Sequence, residues 1–167
     1  MDLMENSLEK MEQRILNLTN EVTKLSKRKK DEHVMFYVTL SSDTVLNINS
    51  IVKFNEIQFD EGANFNSGDG VFVSTVSGVF MFAWTICTYQ GKIIDTELRV
   101  DNVVKAEQIL NLGSAAGYIQ TSQFVICQVN EGDHVWIQTG QDYTSENTFD
   151  EKHGSKSSFM SILIHKI

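Results

Sequence analysis

The sequence predicts an all-β sandwich preceded by a short N-terminal α-helical coiled coil. Three observations carry this prediction: an N-terminal heptad repeat, apolar runs of strand length, and a spaced series of aromatic residues. The chain has 167 residues, 41% of them apolar, which suits one domain with a real core plus an appendage. It contains no proline, and this excludes collagen and polyproline segments within it.

The N-terminal segment carries apolar residues at alternating spacings of three and four. This pattern is typical of a narrow coiled-coil seam, and a single amphipathic helix lying on the domain is the alternative. We place a coiled-coil oligomerisation helix at residues 1–28, a linker at 29–33 and the sandwich at 34–167. The mixed core positions leave the number of helices open. The seam consists of Met1, Met4, Leu8, Met11, Ile15, Leu18, Val22 and Leu25.

The aromatic series predicts the core of the sandwich. Phe80, Phe82 and Trp84 alternate at every second residue and therefore share one face of a strand. Gly78 stands just before them, where a turn or a close backbone approach would let the strand begin. Any sandwich needs core aromatics, so the spacing of the whole series is the informative signal. The series is Phe54, Phe59, Phe65, Phe72, Phe80, Phe82 and Trp84.

The strands differ in how many apolar faces they have. In KIIDTELRV, apolar residues alternate with Asp95, Glu97 and Arg99, which predicts one buried and one water-exposed face. The segments VMFYVTL, GVFMFAW and FMSILI are apolar on both faces. A two-layer sandwich covers only one face of each sheet. We therefore expect a neighbouring subunit to cover the second apolar face.

The aromatic spacing resembles the signature of the C1q globular-head family, a jelly-roll relative of the tumour necrosis factor fold. Phe80 stands where the family usually has Tyr, and Trp84 where it has Phe or Tyr. The segment 34–40 resembles the family's first strand, and the segment 130–138 its turn and penultimate strand. The C-terminus resembles the closing strand, with Ser161 and Ile162 where Gly and Phe are usual.

The resemblance implies a C1q/TNF-like jelly roll in which the three doubly apolar strands share one sheet along the axis of a homotrimer. It also implies a secreted, non-enzymatic recognition protein of the lectin or pattern-recognition type in innate immunity. Its partners would be glycans or microbial surface polysaccharides. Two alternatives stay open: an extracellular protein ligand for a cell-surface receptor, and a metal-binding matrix protein.

Composition and motifs exclude several other classes. The net charge of −8 lies entirely on residues 34–167, which repels nucleic acid. No apolar run approaches the ~18 residues of a membrane span, and Met1 leads into a charged segment rather than a signal peptide. We find no HExxH, Walker or complete EF-hand motif, and therefore expect no enzyme. The histidines are scattered without ligand spacing: His33, His134, His153 and His165.

The longest polar loop, residues 139–158, is the predicted ligand site. Loops of this length in compact domains are usually functional or disordered. Its carboxylates and amides suit sugar hydroxyls, and its tyrosine suits the apolar side of a pyranose, although a merely solvated loop is the alternative. The candidates are Asp142, Tyr143, Glu146, Asn147, Asp150 and His153, with Glu151 beside them. A second candidate segment, residues 110–123, is expected near the same end of the domain.

Three further expectations concern modification, redox state and metal. The sequon at Asn17 lies at an outward helix position and could accept a glycan. The strand alternation points Cys87 and Cys127 to opposite faces, so we expect two free thiols. Several relatives bind calcium at the trimer apex through carboxylates, but Ile119 and Gln120 occupy that stretch here. We therefore expect the apex calcium site to be absent or weak, and no cofactor to be required.

Overall fold

The computed structural model of the chain describes residues 2–30, 33–89, 91–111, 113–114, 116–141, 147–149 and 156–167. They fall into two compact units, Met1–His33 and Val34–Ile167. In the first unit a single helix, α1, spans Asp2–Lys30. Six seam residues are at least 60% exposed in the single chain, so the predicted seam is free to contact another helix: Met4, Leu8, Met11, Ile15, Leu18 and Val22.

The second unit is built from antiparallel strands, which confirms the predicted all-β sandwich. The described strands are β1 (Met35–Thr39), β2 (Thr44–Leu46), β3 (Glu56–Glu61), β4 (Phe72–Val73), β5 (Gly78–Tyr89), β6 (Ile93–Val100), β7 (Val103–Asn111), β8 (Tyr118–Val129), β9 (His134–Thr139), β10 (Asn147–Phe149) and β11 (Ser158–Lys166). They form a five-stranded sheet in the order β3-β1-β11-β5-β8 and a four-stranded sheet in the order β4-β9-β6-β7. β10 and β2 pair as a third, two-stranded sheet.

The aromatic series forms most of the core between these sheets, as predicted. Phe80 and Phe82 stack with their ring centroids 5.8 Å apart, and both contact Phe72 from the opposite sheet. Trp84 is fully buried, and its Nε1 donates a hydrogen bond of 3.0 Å to Thr96 Oγ1 across the sandwich. Interlocked aromatic rings of this kind contribute beyond their buried area. The core therefore joins the two sheets through side chains that the sequence spacing identified.

One member of the series does not belong to the core. Phe59 is about half exposed on β3, where it lies opposite Tyr37 on the side of the sheet that faces away from the core. β3 is an edge strand, and its register with β1 shifts next to Tyr37. The prediction of a buried Phe59 was wrong because spacing along the chain does not report such a local bulge.

The predicted role of Gly78 is confirmed, because β5 begins there at a close backbone approach. A Cβ on Gly78 would lie 2.5 Å from Leu163 Cδ1 and 2.6 Å from His165 O. No side chain fits in that space, and glycine lets β11 pair with β5 up to its first residue.

The two cysteines are free, as predicted. Cys87 lies opposite Gln120 in the β5–β8 ladder, whereas Cys127 lies opposite Phe80, seven residues further along the same pair. At the rise of a β-strand this separation is about 23 Å, far beyond disulfide reach. Burial raises the pKa of the Cys127 thiol, which keeps it protonated and unreactive.

Candidate assembly face and ligand-binding groove

The three doubly apolar strands are neighbours in the five-stranded sheet, which confirms their predicted common sheet. The register places side chains from each strand in rows on the side away from the core. The first row crosses all five strands, and the second contains four apolar residues. They are Phe59, Tyr37, Met160, Ala83 and Phe124, followed by Met35, Ile162, Met81 and Ile126.

These two rows, which we call the apolar face, leave large side chains in water. In the single chain Phe124 is 68% exposed, Ile126 57%, Phe59 46% and Tyr37 40%. Monomeric proteins rarely expose contiguous apolar patches of this kind, and larger ones mark interaction sites. The apolar face is therefore the strongest candidate on the domain for contact with another polypeptide chain.

A row of polar residues borders the apolar face on the side where the long loops lie. The row consists of Thr39, Ser158, Thr85 and Ser122. Thr39 donates a hydrogen bond of 2.8 Å to Glu56 Oε2, and Thr85 and Ser122 are hydrogen-bonded at 2.7 Å. Lys156 Nζ lies 2.5 Å from Glu56 Oε2, and this hydrogen bond is the main cause of a lowered pKa of Glu56. The row is polar but internally paired, which gives the apolar face a defined boundary.

The outer surface of the four-stranded sheet is different. Trp136 Nε1 donates to Gln138 Oε1 at 2.8 Å, and Gln138 Nε2 donates to Glu97 Oε1 at 2.6 Å. The same oxygen of Glu97 forms an ion pair with Arg99 Nη1 at 3.1 Å. We call these four residues the polar face.

The expectation of a water-exposed face on β6 was wrong. The outward residues of β6 were expected to be freely solvated, but Asp95 is buried and Glu97 is mostly covered. The cause is packing by long side chains from β9, together with the backbone of Gly140, which donates to Asp95 O at 3.0 Å. A Cβ on Gly140 would overlap the Asp95 carboxylate, so glycine is required there.

The predicted ligand loop is described only in part. Asp142, Tyr143, Glu146, Asp150 and His153 lie outside the described residues. Asn147 begins β10 and pairs through its backbone with Leu46 of β2. No sequence pattern indicated this pairing, which ties the middle of the loop to the segment that follows the first strand.

Several connections converge on one end of the domain. Gly140 bonds to the start of β6, and Gly91 N donates to Gly113 O at 2.9 Å, which joins the 89–92 and 111–118 connections. Leu40 N donates to Ser157 O at 3.0 Å. The second candidate segment, residues 110–123, thus lies at the same end as the loop after β9, as expected. We call this region the loop end.

No metal site is visible in the described part of the chain, where no three His, Cys, Asp or Glu residues come together. Gln120 of the predicted apex stretch lies opposite Cys87 on β5, and Ile119 packs partly against the core. Among the described helices, none is long and apolar enough to cross a membrane. Asn17 is exposed on α1, where Gln13 Nε2 lies 3.5 Å from its Oδ1, and its glycosylation stays a prediction.

An open groove of about 610 Å³ adjoins the pair formed by β2 and β10. It arises from strand alternation: Val52 and Phe54 are fully buried in the core, so Ile51, Lys53 and Asn55 point outward. The lining residues are Thr44, Leu46, Ser50, Ile51, Lys53, Asn55, Ser67 and Gly68. Sequence reasoning missed this groove, although the alternation in IVKFN was a usable signal.

A model of the C1q domain family matches residues 35–164. Among curated proteins, the chain is 27% identical over 117 residues to mouse "Complement C1q tumor necrosis factor-related protein 2", covering 68% of this chain and 37% of the relative. It is 29% identical over 116 residues to "Protein HP-25 homolog 2" of Bos taurus, covering 68% of this chain and 50% of the relative. The chain thus spans at most half the length of these relatives.

Solved structures show the same fold. The globular domain of the zebrafish complement 1qA protein superposes with a TM-score of 0.67 at 18% identity, covering 81% of this chain and all of that domain. Murine APRIL superposes with a TM-score of 0.61 at 8% identity, covering 80% of this chain and all of that structure. At these identities the likeness establishes the jelly-roll architecture and nothing further.

Proposed function

The chain belongs to the C1q domain family, and we propose that it is a secreted, non-enzymatic recognition protein that binds carbohydrates on microbial surfaces as a homotrimer. The observation that carries the proposal is the apolar face, because a sheet with two apolar sides is stable in water only when another chain covers the second. Burial of one exposed Phe, Ile or Met side chain stabilises association by about 1.5–3 kcal/mol.

Self-association covers the apolar face without a second kind of protein. The helix α1 independently presents an exposed seam of apolar residues at heptad spacing. Heptad seams of this kind associate with copies of themselves, and three-fold packing is what the family resemblance implies for the head. One trimer would therefore cover both surfaces. Residues 1–28 then act as the oligomerisation helix, residues 29–33 as the linker and residues 34–167 as the recognition domain.

The loop end and the groove support carbohydrate recognition. The groove shares no residue with the apolar face, and we therefore expect it to stay open to ligand in the assembled protein. Its hydroxyl and amide groups suit sugar hydroxyls, and Asn147 of β10 pairs with Leu46, which lines the groove. The candidates Asp142 and Tyr143 precede Asn147 in the sequence and lie outside the described residues. Three equivalent weak sites on a trimer would gain about 10²–10⁴ in avidity on a repetitive glycan.

A glycan array probed with the intact chain tests this function. We expect binding to a subset of glycans that the corresponding free sugar inhibits at high concentration. The single chain, separated by dilution or by an assembly-breaking substitution, should bind the same glycans far more weakly. Absence of binding to any glycan by the assembled protein would contradict the proposal.

A second candidate function is that of a protein ligand for a cell-surface receptor. It is favoured by a curated relative that carries "tumor necrosis factor-related" in its name and by the shared fold with APRIL. Saturable binding to cells that survives removal of surface glycans and ignores free sugar would favour this candidate over the first.

A further inference from the structure

The groove beside β2 combines three kinds of chemistry in a small space. Leu46 and Ile51 supply apolar surface, and Thr44, Ser50 and Ser67 supply hydroxyl groups. A pyranose ring has the complementary pattern, with C–H groups on one side and hydroxyls around its edge. Lys53 adds a single positive charge to the lining.

The charge of the groove differs from that of the domain around it. Residues 34–167 contain fifteen acidic and seven basic side chains, yet none of the eight lining residues is acidic. Within the described part of the chain, no carboxylate forms an ion pair with the exposed Lys53. An ammonium with no carboxylate partner among the described residues is the place on an acidic domain where a ligand carboxylate meets the least repulsion.

One wall of the groove is fixed by Thr139 at the end of β9. Its Oγ1 accepts a hydrogen bond of 2.9 Å from Ser50 N and donates one of 2.5 Å to Asn47 O. Its backbone N donates to Ser50 O at 3.0 Å. These bonds hold the segment that carries Ser50 and Ile51 against the rigid four-stranded sheet.

The opposite wall is a tight turn at residues 66–71. Asn66 N donates to Val71 O at 3.1 Å, and Asp69 accepts from Asn66 Nδ2 at 2.7 Å and from Val71 N at 2.9 Å. Gly70 has φ of +80°, and a Cβ there would lie 2.7 Å from Val52 O. This close approach holds Ser67 and Gly68 beside Lys53. A groove with two fixed walls loses little entropy on binding.

We propose that this groove binds a carboxylated sugar, such as the uronic acid unit of an acidic polysaccharide, with the Lys53 ammonium paired to the sugar carboxylate. The inference rests on the proposed glycan-binding function and names the ligand class and the charge partner. The apolar floor receives the ring, and the hydroxyl groups of Thr44 and Ser67 receive the sugar hydroxyls. The partner thus has negative charge although the domain itself is acidic.

Two sugars that differ only at C6 provide the probe. Methyl glucuronide carries a carboxylate where methyl glucoside carries a hydroxymethyl group. Each is titrated into the ¹⁵N-labelled intact chain, and amide shifts are followed by NMR. We expect the glucuronide to bind about fivefold more tightly at low salt, the upper range for a partly exposed ion pair, and this preference to shrink as salt rises. The shifted amides should include Ile51, Ser67 and Gly68.

Substitution at Lys53 then locates the preference. Lys53→Met retains the aliphatic stem and removes the charge, so the two sugars should bind within about twofold of each other. Lys105→Met is the matched control, since Lys105 is an exposed lysine on β7 away from the groove, and it should retain the full preference. Both sites are exposed, and equal thermal unfolding would confirm that the variants are folded.

These outcomes test the assignment of the groove separately from the proposed glycan-binding function. Equal binding of the two sugars, a preference that survives Lys53→Met, or shifts confined to residues outside the groove would overturn the groove assignment. If neutral glycans on the array are still bound in that case, the proposed function stands without it. If no glycan is bound by the assembled protein, both fall together.

Discussion

The outer surfaces of the two sheets differ in how far their side chains are paired within a single chain. The apolar face is crossed by rows of unpaired large side chains, with Phe124 and Ile126 the most exposed. On the polar face, Trp136, Gln138, Glu97 and Arg99 are joined by hydrogen bonds and an ion pair, and only Arg99 Nε among their described atoms is buried without a partner. The polar face is largely paired within a single chain, whereas the apolar face exposes large apolar side chains to water.

The two sheets differ only in the residues that point away from the core, because their inward residues pack into one common core. β5 has Phe80, Phe82 and Trp84 inside, and β6 has Ile94 and Leu98 inside. Hydrophobic burial therefore fixes the sandwich without deciding what the second side of each sheet does. The outward-pointing residues of each strand determine this, because exposed apolar residues need another chain to cover them and hydrogen-bonded polar residues do not.

The largest expected effect comes from placing a charge on the apolar face. Phe124→Glu should abolish assembly, because each copy of the interface would bury an unpaired carboxylate in an apolar contact. The subunit itself should stay folded, since Phe124 is already mostly exposed in it.

Ile109→Glu provides the matched control for that substitution. Ile109 is an equally exposed apolar residue, but it lies on β7 of the other sheet. Analytical ultracentrifugation should show loss of assembly for Phe124→Glu only. An assembled Phe124→Glu protein, or dissociation by Ile109→Glu, would reverse the roles given to the two surfaces.

Truncation in the shared core should harm the fold itself. Phe82→Ala removes a fully buried ring that stacks with Phe80 and Phe159. We expect a loss of about 3–5 kcal/mol in the free energy of unfolding, measured with denaturant. A loss below about 1 kcal/mol would mean that Phe82 does not pack as the structure describes.

A smaller effect of opposite sign is expected at Ser161. Its side chain is buried on β11, between the positions of Phe36 and Phe82, and its Oγ has no hydrogen-bond partner among the described residues. Ser161→Ala should stabilise the fold by about 1 kcal/mol, because it removes an unpaired buried hydroxyl.

Thr96→Val replaces with a methyl group a hydroxyl that does form a hydrogen bond. Thr96 Oγ1 accepts the hydrogen bond from Trp84 Nε1, so the valine variant should be destabilised by about 1–2 kcal/mol. Denaturant unfolding of both variants measures the change in the free energy of unfolding, which should rise for Ser161→Ala and fall for Thr96→Val. Destabilisation by Ser161→Ala would show that its hydroxyl is paired in solution.

The smallest expected effect is a pH dependence on the polar face. Burial raises the pKa of Glu97 above 4.5, and the charge of Arg99 and the hydrogen bond from Gln138 oppose this only in part. The folded protein thus binds this proton more tightly than the unfolded chain. The stabilisation is complete below about pH 4.5 and is lost as pH rises through the folded pKa.

Glu97→Gln should therefore flatten the fall of stability as pH rises from 4.5 towards neutrality. Urea unfolding at several pH values measures this slope. Glu131→Gln, at an exposed turn, is the matched control for removal of one carboxylate. An unaltered slope for Glu97→Gln would place that carboxylate in water rather than within the polar face.

Much of this architecture follows from sequence, because alternation and aromatic spacing report burial directly. The inward ladder of β5 followed from alternation, whereas the turn at Gly132, with φ of +88°, and the common sheet of the doubly apolar strands followed from the family resemblance. The position of Phe59 was not predictable, since a bulge redirected it. The coverage of Glu97 was also not predictable, since it depends on Gln138 and Arg99 arriving from two strands.

The ligand site was less predictable than the fold for a physical reason. A loop's composition indicates what it can bind, but the position of its atoms depends on long-range pairing such as that between Asn147 and Leu46. The groove likewise needs residues 44–55 and 67–68 to meet, which no local pattern encodes.

We propose that contacts through the apolar face, and not only through the helix α1, hold the chains of the assembled protein together. Sedimentation equilibrium of a chain limited to residues 31–167 tests this most directly, because it retains the face and removes the heptad seam. We expect a mass of three chains. A monomer at concentrations where the intact protein is assembled would contradict it.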